Sequence, residues 1–325
     1  MGRPNSQSAT TGSERHTSGP PGGADHGAIA RPVSWRVEQR VTITRLLVLV
    51  LLWPTLLSAE ATLVGTLPFP GDRANLRGLS GIEMSDDGMT FVVISDRGRL
   101  WEGSVARDAK GRVTAIRTSN PRIIRAPDGS RLPQVQRDLE GVARLPDGGL
   151  ALSFEGDHRV GTLRGLRSEL LILPRPRDFA SFGFNSGLEA LAAGPDGALY
   201  ALPERSGRLD RPFDLWRWDG QLWEVVFRLR RTEDFLPVGA DFGPDGRLYV
   251  LERALSPPFF QSRVRAIDLA RNQVETVLTT RRGQHGNLEG LSVWQAEGHL
   301  RLTMVSDDNF NDWFRGELVE YRLAP

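Results

Sequence analysis

Five segments of the chain repeat one pattern of apolar and polar positions. Each begins with a short apolar strand, passes through a tight Asp-Gly or Glu-Gly turn, and returns as an alternating strand that ends at an acidic side chain. Gly accepts the positive φ that such a turn requires, so each segment is predicted to form a β-hairpin. The segments start at Leu79, Leu139, Leu188, Pro237 and Leu288.

The spacing of the repeats predicts the fold. Equivalent positions in successive segments lie 60, 49, 49 and 51 residues apart, which suits the four-stranded antiparallel blades of a β-propeller. The last apolar strand, from Glu317, is predicted to pair with the strand that starts at Ala61 and so to close the ring. We therefore predict an all-β, five-bladed propeller. A six-bladed ring, a β-sandwich and an open solenoid are the alternatives.

The N-terminal part of the chain has a different composition. Residues 1–40 are rich in Gly, Ser, Thr and Pro, which predicts a disordered leader or an over-extended gene start. Residues 41–61 carry a basic flank, a short apolar run and small residues, which is typical of a bacterial Sec-type signal peptide. We expect cleavage there, export to the periplasm or the medium, and a propeller domain over residues 62–325 with no membrane span. An uncleaved anchor is the alternative.

The charge balance and the absence of cysteine exclude several classes of protein. There are 41 basic and 40 acidic side chains, a formal net charge of +1, so the basic surplus of a non-specific nucleic-acid binder is missing. The sequence has no cysteine, which excludes disulfides, zinc–thiolate sites, iron–sulfur clusters and a cysteine nucleophile. We expect a monomer that does not bind nucleic acid.

The predicted hairpins gather acidic side chains at one mouth of the central channel. The first strand of each blade lines the channel and the second runs back beside it. The start of the first strand and the end of the second therefore lie at the same end of the hairpin. Three first strands open with Glu140, Glu189 and Glu289. The other acids predicted at this mouth are Asp96, Glu155, Glu204, Glu252 and Asp307, with Glu83 as a further candidate.

Clustered carboxylates are unfavourable unless positive charge neutralises them. A divalent cation would do so, and oxygen ligands without cysteine or paired histidine suit Ca²⁺, and less specifically Mg²⁺ or Mn²⁺. The predicted metal ligands are Glu140, Glu189, Glu289, Asp96 and Asp307. Arginine is the other neutraliser, and three arginines directly follow strand-end acids and would bind an anionic substrate group. They are Arg97, Arg205 and Arg253. Surface ion pairs and turn caps are the alternative role for each acid.

Two histidines are candidates for a catalytic acid or base. His158 follows Glu155 closely, and His285 precedes Glu289 by four residues, so both are predicted near the channel mouth. An ordinary loop position is the alternative for each. The sequence contains no G-x-S-x-G elbow, H-E-x-x-H motif, P-loop or dinucleotide fingerprint.

At these residues the sequence resembles the phytase-like family, described as having esterase-like activity of phytase. The resemblance covers residues 76–310. It rests on segments that run from Leu79 to Glu83, Ile94 to Gly98, Leu139 to Gly141, Asn185 to Glu189, Val250 to Arg253, Leu288 to Gly290 and Ser306 to Phe310. Two departures put the ligand set in doubt: Glu155-Gly-Asp-His158 replaces the family's Asp-Glu pair, and Val238 opens the fourth repeat in place of an acid.

The resemblance implies a secreted or periplasmic propeller that hydrolyses phosphoesters. More distantly, the sequence is similar to calcium-binding propellers of the gluconolactonase group and to calcium-activated nucleotidases. We predict a metal-dependent hydrolase of a small anionic phosphoester or related ester. A non-catalytic binding propeller with a structural calcium ion and a lactonase-like hydrolase are the alternatives.

Glu289 is the ligand predicted most sharply. Simple strand alternation places Glu289 and Leu291 on one side of the first strand of the last repeat, with Leu288 and Gly290 on the other. Gly290 has no side chain and would permit close approach of another backbone.

Overall fold

The computed structural model describes residues 61–70, 76–165, 169–183, 187–309 and 316–324. These residues belong to the unit formed by residues 55–325. The predicted leader, and all of the predicted signal peptide except its last residue, lie outside the described residues. Among the helices that the structure describes, none is long and apolar enough to cross a membrane.

The strands form five antiparallel sheets, the blades. The first strand, β1 (Thr62–Pro68), belongs to the last blade. Blade 1 contains β2 (Leu79–Met84), β3 (Thr90–Ser95), β4 (Arg99–Arg107) and β5 (Val113–Thr118), with the short β6 (Arg122–Ile123) beside β4. Blade 2 contains β7 (Leu139–Arg144), β8 (Leu150–Phe154), β9 (Arg159–Leu163) and β10 (Leu171–Ile172).

The remaining blades follow the same order from the channel outwards. Blade 3 contains β11 (Leu188–Ala193), β12 (Leu199–Pro203), β13 (Phe213–Trp218) and β14 (Trp223–Leu229). Blade 4 contains β15 (Leu236–Phe242), β16 (Leu248–Ser256), β17 (Phe259–Asp268) and β18 (Gln273–Thr279). Blade 5 contains β19 (Asn287–Ala296), β20 (His299–Asp307), β21 (Glu317–Arg322) and β1. Two short 3₁₀ helices span Gln134–Gln136 and Arg177–Ser181.

The ring closes by pairing the two ends of the propeller. Strand β1 is antiparallel to β21, from Thr62 opposite Arg322 to Pro68 opposite Glu317. This confirms the predicted closure and the prediction of five four-stranded blades. The six-bladed, sandwich and solenoid alternatives are therefore wrong.

The Asp-Gly turns form the hairpins as predicted. In blades 2, 3 and 4 the turn glycine has a φ of 79–81°, a conformation that strains residues with a Cβ. The aspartate before it accepts a hydrogen bond from the backbone N–H two residues on. These bonds are Gly149 to Asp147 (2.9 Å), Ala198 to Asp196 (3.1 Å) and Arg247 to Asp245 (3.3 Å).

The hydrophobic core lies between the faces of neighbouring blades. One cluster joins Tyr249 and Val264 of blade 4 to Leu302 and Val319 of blade 5, all of them buried. Another joins Ile94 of blade 1 to buried leucines of blade 2. Because every blade is covered on both faces by its neighbours, apolar side chains point to both sides of its strands.

Each inner strand contains a bulge at its second residue or directly after it, and this detail positions the site. The ladder shifts register around Ser80, Glu140, Glu189, Val238 and Glu289. Leu288 and Leu291 consequently pack into the same core cluster. The simple alternation predicted for Glu289 is wrong because the bulge adds one residue between these two leucines. The predicted close approach at Gly290 is confirmed, since a Cβ there would lie 2.8 Å from the Cα of Gly81 in blade 1.

Candidate functional site

Ten side chains at equivalent positions of the five blades lie at one end of the channel. Five come from the bulges of the inner strands and five from the ends of the second strands. We call this end of the channel the acidic mouth. The five inner strands lie side by side around the channel. The bulge positions are Ser80, Glu140, Glu189, Val238 and Glu289. The strand-end positions are Asp96, Glu155, Glu204, Arg253 and Asp307. The structure therefore places these predicted acids together, across blade boundaries.

Blade 4 differs from the prediction by one residue. Leu236 lies opposite Arg253, and Pro237 lies opposite Glu252, so Arg253 and not Glu252 occupies the strand-end position. A shift of one residue turns a strand side chain to the other face. Glu252 is fully buried inside the blade, where it accepts hydrogen bonds from Arg263 Nε (2.8 Å) and Arg265 Nε (2.7 Å). The prediction that Glu252 lies at the mouth is therefore wrong.

Arg253 is a half-buried cation within the acidic mouth. Its guanidinium forms ion pairs with Glu289 and, at 3.2 Å, with Glu204, and it donates to Asn287 Oδ1 at 2.7 Å. Asn287 Nδ2 donates to Glu289 Oε1 at 2.7 Å. Burial alone lowers the pKa of Arg253, but the carboxylates of Glu289, Glu189 and Glu204 raise it overall. Arg253 therefore stays charged and neutralises one side of the mouth.

The other side of the mouth holds three acids without an arginine between them. Carboxylate oxygens of Asp138, Glu140 and Glu155 lie within 4.8 Å of one another, and we call this set the acidic triad. Glu140 and Glu155 are each 9% exposed. The backbone N–H of Gly187 donates to Glu155 Oε1 at 3.3 Å and helps to fix that carboxylate.

Asp138 was not among the predicted site residues. It precedes β7 and lies two residues before Glu140, just as Asn287 lies two residues before Glu289. The shared pattern Asp/Asn-Leu-Glu-Gly is the signal that identifies this position in the sequence.

Burial raises the pKa values of the acids at the mouth. It is the first cause of the raised pKa of Asp96, to about 8, and of Asp307 and Glu155, each to about 7. Neighbouring carboxylates add to this effect in all three. For the same two reasons, the pKa values of Glu140 and Glu189 lie well above the ordinary range. The mouth therefore holds protons near neutral pH, and a bound cation would displace them.

The three predicted substrate-binding arginines have different environments. Arg253 is half-buried, as described above. Arg205 Nε pairs with Glu204 Oε2 at 3.0 Å, and its side chain is 58% exposed. Arg97 is exposed beside Asp96. Arg97 and Arg205 are therefore the two that an incoming anion can reach at the rim.

The two histidines lie in different places. His158 is buried, with Nε2 3.0 Å from the carbonyl oxygen of Gly183. Its Nδ1 has no hydrogen-bond partner among the described residues and lies close to Gly187, next to Glu155. His285 Nε2 instead lies 2.6 Å from the hydroxyl of Tyr321, on the third strand of blade 5. Burial lowers the pKa of both imidazoles.

Glu83 does not lie at the acidic mouth. It is near the far end of β2, where its neighbour is Asp241 of β15, also near that strand's far end. The extended inner strand carries Glu83 away from the mouth. Burial, followed by the charge of Asp241, raises the pKa of Glu83 well above its ordinary range.

The solved structures similar to this chain are distant. An aldose sugar dehydrogenase from Streptomyces coelicolor in its PQQ-bound form is 14% identical, with a TM-score of 0.48, covering 82% of this chain and 98% of that one. The calcium-binding protein regucalcin from Agrobacterium tumefaciens is 14% identical, with a TM-score of 0.45, covering 79% and 95%. A putative gluconolactonase is 13% identical, with a TM-score of 0.41, covering 82% and 94%.

A comparison with curated protein sequences finds no significant match. The model of the phytase-like family, described as "Esterase-like activity of phytase", matches residues 74–310. That range holds both the bulge and the strand-end positions of the acidic mouth. The chain therefore belongs to the phytase-like family.

Proposed function

We propose that the protein is a cation-dependent hydrolase of a small anionic phosphoester or related ester, exported from the cell, with its site at the acidic mouth. The observation that carries this proposal is the acidic triad. Three buried or half-buried carboxylates face one another there, and among the described residues no arginine or lysine forms an ion pair with any of them. Such an arrangement is unfavourable unless protons or a cation neutralise it.

The residues present fit a hard divalent cation. All three groups of the triad are carboxylates, whose oxygens suit Ca²⁺ better than softer metals. Asp138, Glu140 and Glu155 would hold the ion, and Glu189 lies beside Glu155 and Glu140. When bound, such a cation polarises a phosphoryl or acyl oxygen and lowers the pKa of water.

Glu289 is a weaker ligand candidate than the sequence suggests. Its carboxylate already pairs with Arg253 and accepts from Asn287. Both contacts are made by Oε1, and the charge of Arg253 already neutralises this carboxylate, which makes a second cation beside it less favourable. We therefore place the cation towards Glu140 and assign Glu289 to positioning Arg253.

The other residues of the mouth have roles that follow from their surroundings. Asp96 and Asp307 are neighbours, each with a buried Oδ1 that has no hydrogen-bond partner among the described residues. Burial, followed by the charge of Asp307, raises the pKa of Asp96 to about 8, and a carboxyl group with such a pKa is suited to donate a proton to a leaving group near neutral pH. Arg97 and Arg205, at the rim, would hold the anionic group of the substrate. His158 stays a candidate acid or base.

The test combines turnover with thermal melts. The protein is assayed on phosphate monoesters, phosphate diesters and lactones, with added Ca²⁺ and after a chelator. We expect turnover that the chelator abolishes. Turnover that survives the chelator would refute cation dependence, and no turnover on any of these substrates would refute the hydrolase.

Two variants test where the cation binds. Glu140→Gln keeps the shape of the side chain but removes a ligand charge, so the rise in melting temperature with Ca²⁺ should disappear. Glu289→Gln, the matched control, should keep most of that rise. The opposite order would return Glu289 to the ligand set, and a wild type that does not respond to Ca²⁺ would remove calcium from the proposal.

A non-catalytic binding propeller with structural calcium is the second candidate. The position of His285 favours it, because the hydrogen bond to Tyr321 takes this imidazole away from the mouth. The carboxyl group of Asp96 can replace it as a proton donor, so the hydrolase remains the better-supported function. Calcium-dependent melting without turnover would identify the binding protein.

A further inference from the structure

A cavity of about 440 Å³ opens beside the acidic mouth, and most of its lining residues have no role in the proposed hydrolysis. It shares Asp96 and Asp138 with the mouth, so the two spaces adjoin. The turn between β3 and β4 forms one wall, and the segment that leads from blade 1 to blade 2 forms the other. Four arginines line it: Arg97, Arg99, Arg131 and Arg137.

Local packing fixes both walls of this cavity. Gly98 has a φ of 69° and lies so close to the other wall that a Cβ would be 3.0 Å from the backbone oxygen of Arg137. The N–H of Ile124 donates to the carbonyl of Gly98 at 2.9 Å. The 3₁₀ helix Gln134–Gln136 ends at Arg137, whose side chain belongs to the lining. The cavity is therefore built from contacts of the backbone.

Two of the four arginines that line the cavity, Arg131 and Arg137, form no ion pair among the described residues. The cavity is therefore positive on its outer side, while the cation-binding carboxylates lie on its inner side.

Apolar side chains complete the lining. Ile124 and Leu132 are buried, and Ile123 is 38% exposed. A cavity that combines apolar side chains with a cluster of arginines and adjoins the acidic triad suits a molecule with an anionic group at each end of an apolar spacer. Arginine binds phosphate and carboxylate through two parallel hydrogen bonds.

We propose that this cavity binds a second anionic group of the substrate, separated by an apolar spacer from the ester that is cleaved. The part of this proposal that concerns ester cleavage rests on the proposed function. The part that concerns anion binding in the cavity does not. The substrate class is then an ester that carries a separate phosphate or carboxylate. Arg131 and Arg137 determine the preference for that group.

The first test measures anion binding without a cation. Inorganic phosphate and benzoate are titrated into the full-length protein in a chelator by calorimetry, and we expect binding that weakens as salt is added. Arg131→Gln and Arg137→Gln should each weaken it about tenfold, as expected for the loss of a charge-assisted hydrogen bond. Arg271→Gln is the control, because Arg271 is 75% exposed and pairs locally with Asp268 in blade 4.

Comparing the affinities for phosphate and benzoate identifies the second anionic group of the substrate. Tighter binding of phosphate indicates a phosphorylated substrate, and tighter binding of benzoate indicates a carboxylate next to an apolar spacer. Thermal melts of each variant check that it is folded. Unchanged affinity in both cavity variants, or equal losses in the Arg271 control, would overturn the proposal.

The second test separates this proposal from the hydrolase itself. Phenyl phosphate and 4-carboxyphenyl phosphate differ only in the second anionic group. Arg131→Gln and Arg137→Gln should raise KM about tenfold for the carboxylated ester and leave kcat/KM for phenyl phosphate unchanged. Equal effects on both esters would refute the cavity as a subsite. If neither ester is turned over but the variants lose anion binding, the hydrolase fails and the anion site stands.

Discussion

Arg253→Met would remove the one cation among the five strand-end positions and leave an unbranched apolar side chain. The side chain of Arg253 is 21% exposed, and its guanidinium pairs with Glu204 and Glu289. Without it, Glu289 would lose its arginine partner among the described residues, and Glu204 would keep only its pair with the exposed Arg205. Removing one partner of a buried ion pair typically costs about 3–5 kcal/mol of folding free energy.

The pH dependence of this cost distinguishes charge from packing. Burial already raises the pKa of Glu289, and loss of Arg253 would raise it further. An acid with a raised pKa in the folded state contributes stability that is complete below its unfolded pKa and is lost as pH rises through its folded pKa. The variant should therefore lose about 3–5 kcal/mol relative to wild type at pH 8 and about half as much at pH 5.

Urea denaturation of wild type and variant at both pH values, in a chelator, measures these differences. Arg205→Met is the matched control, because Arg205 pairs with the same Glu204 but its side chain is 58% exposed. An exposed pair contributes about 0–1 kcal/mol, so the control should change little at either pH. Equal losses for the two variants, or a loss for Arg253→Met that does not depend on pH, would refute the role of Arg253 as the half-buried counter-charge.

Three further predictions concern stability elsewhere in the propeller, each measured by urea denaturation. Gly290→Ala should lower the free energy of unfolding by about 1–3 kcal/mol, because its Cβ would meet the backbone of blade 1. Gly65→Ala is the control, since a Cβ there would have no atom within 4 Å. Glu252→Gln should cost about 3–5 kcal/mol and leave calcium-dependent melting unchanged, since this glutamate pairs only inside blade 4. Asp241→Asn should lose less stability than wild type between pH 5 and pH 8, because burial raises the pKa of Asp241 to about 7. The opposite sign of that difference would show that Asp241 is charged in the folded protein.

The fold could be predicted from the sequence because its signals are local and repeated. Each Asp-Gly turn fixes a hairpin by itself, and the spacing of about fifty residues between turns is that of a four-stranded blade. The pairing of β1 with β21 could be predicted from the number of strands in each repeat, because the last repeat lacks a fourth strand of its own. Periodicity therefore predicted both the number of blades and the way the ring closes.

The site could be predicted only in part, because register decides which side chain faces the channel. The repeated acids indicated the mouth correctly for Glu140, Glu155 and Glu189. The alignment could not show that the ladder of blade 4 brings Arg253 to the strand end and turns Glu252 into the blade. Bulges shift register without changing the apolar pattern, so a residue can move to the other face while its neighbours stay in the core.

The function of the mouth depends on where the five blades differ. Five identical blades would place five equal acids around the channel axis, and a cation would then be bound on that axis. In this chain Ser80 and Val238 supply no charge at two bulge positions, and Arg253 occupies the strand-end position of blade 4. Arg253 neutralises Glu204 of blade 3 and Glu289 of blade 5, whereas the acidic triad lies in blade 2 and directly before it. The acidic triad therefore lies next to the arginine-lined cavity, and an ester with a second anionic group could reach both.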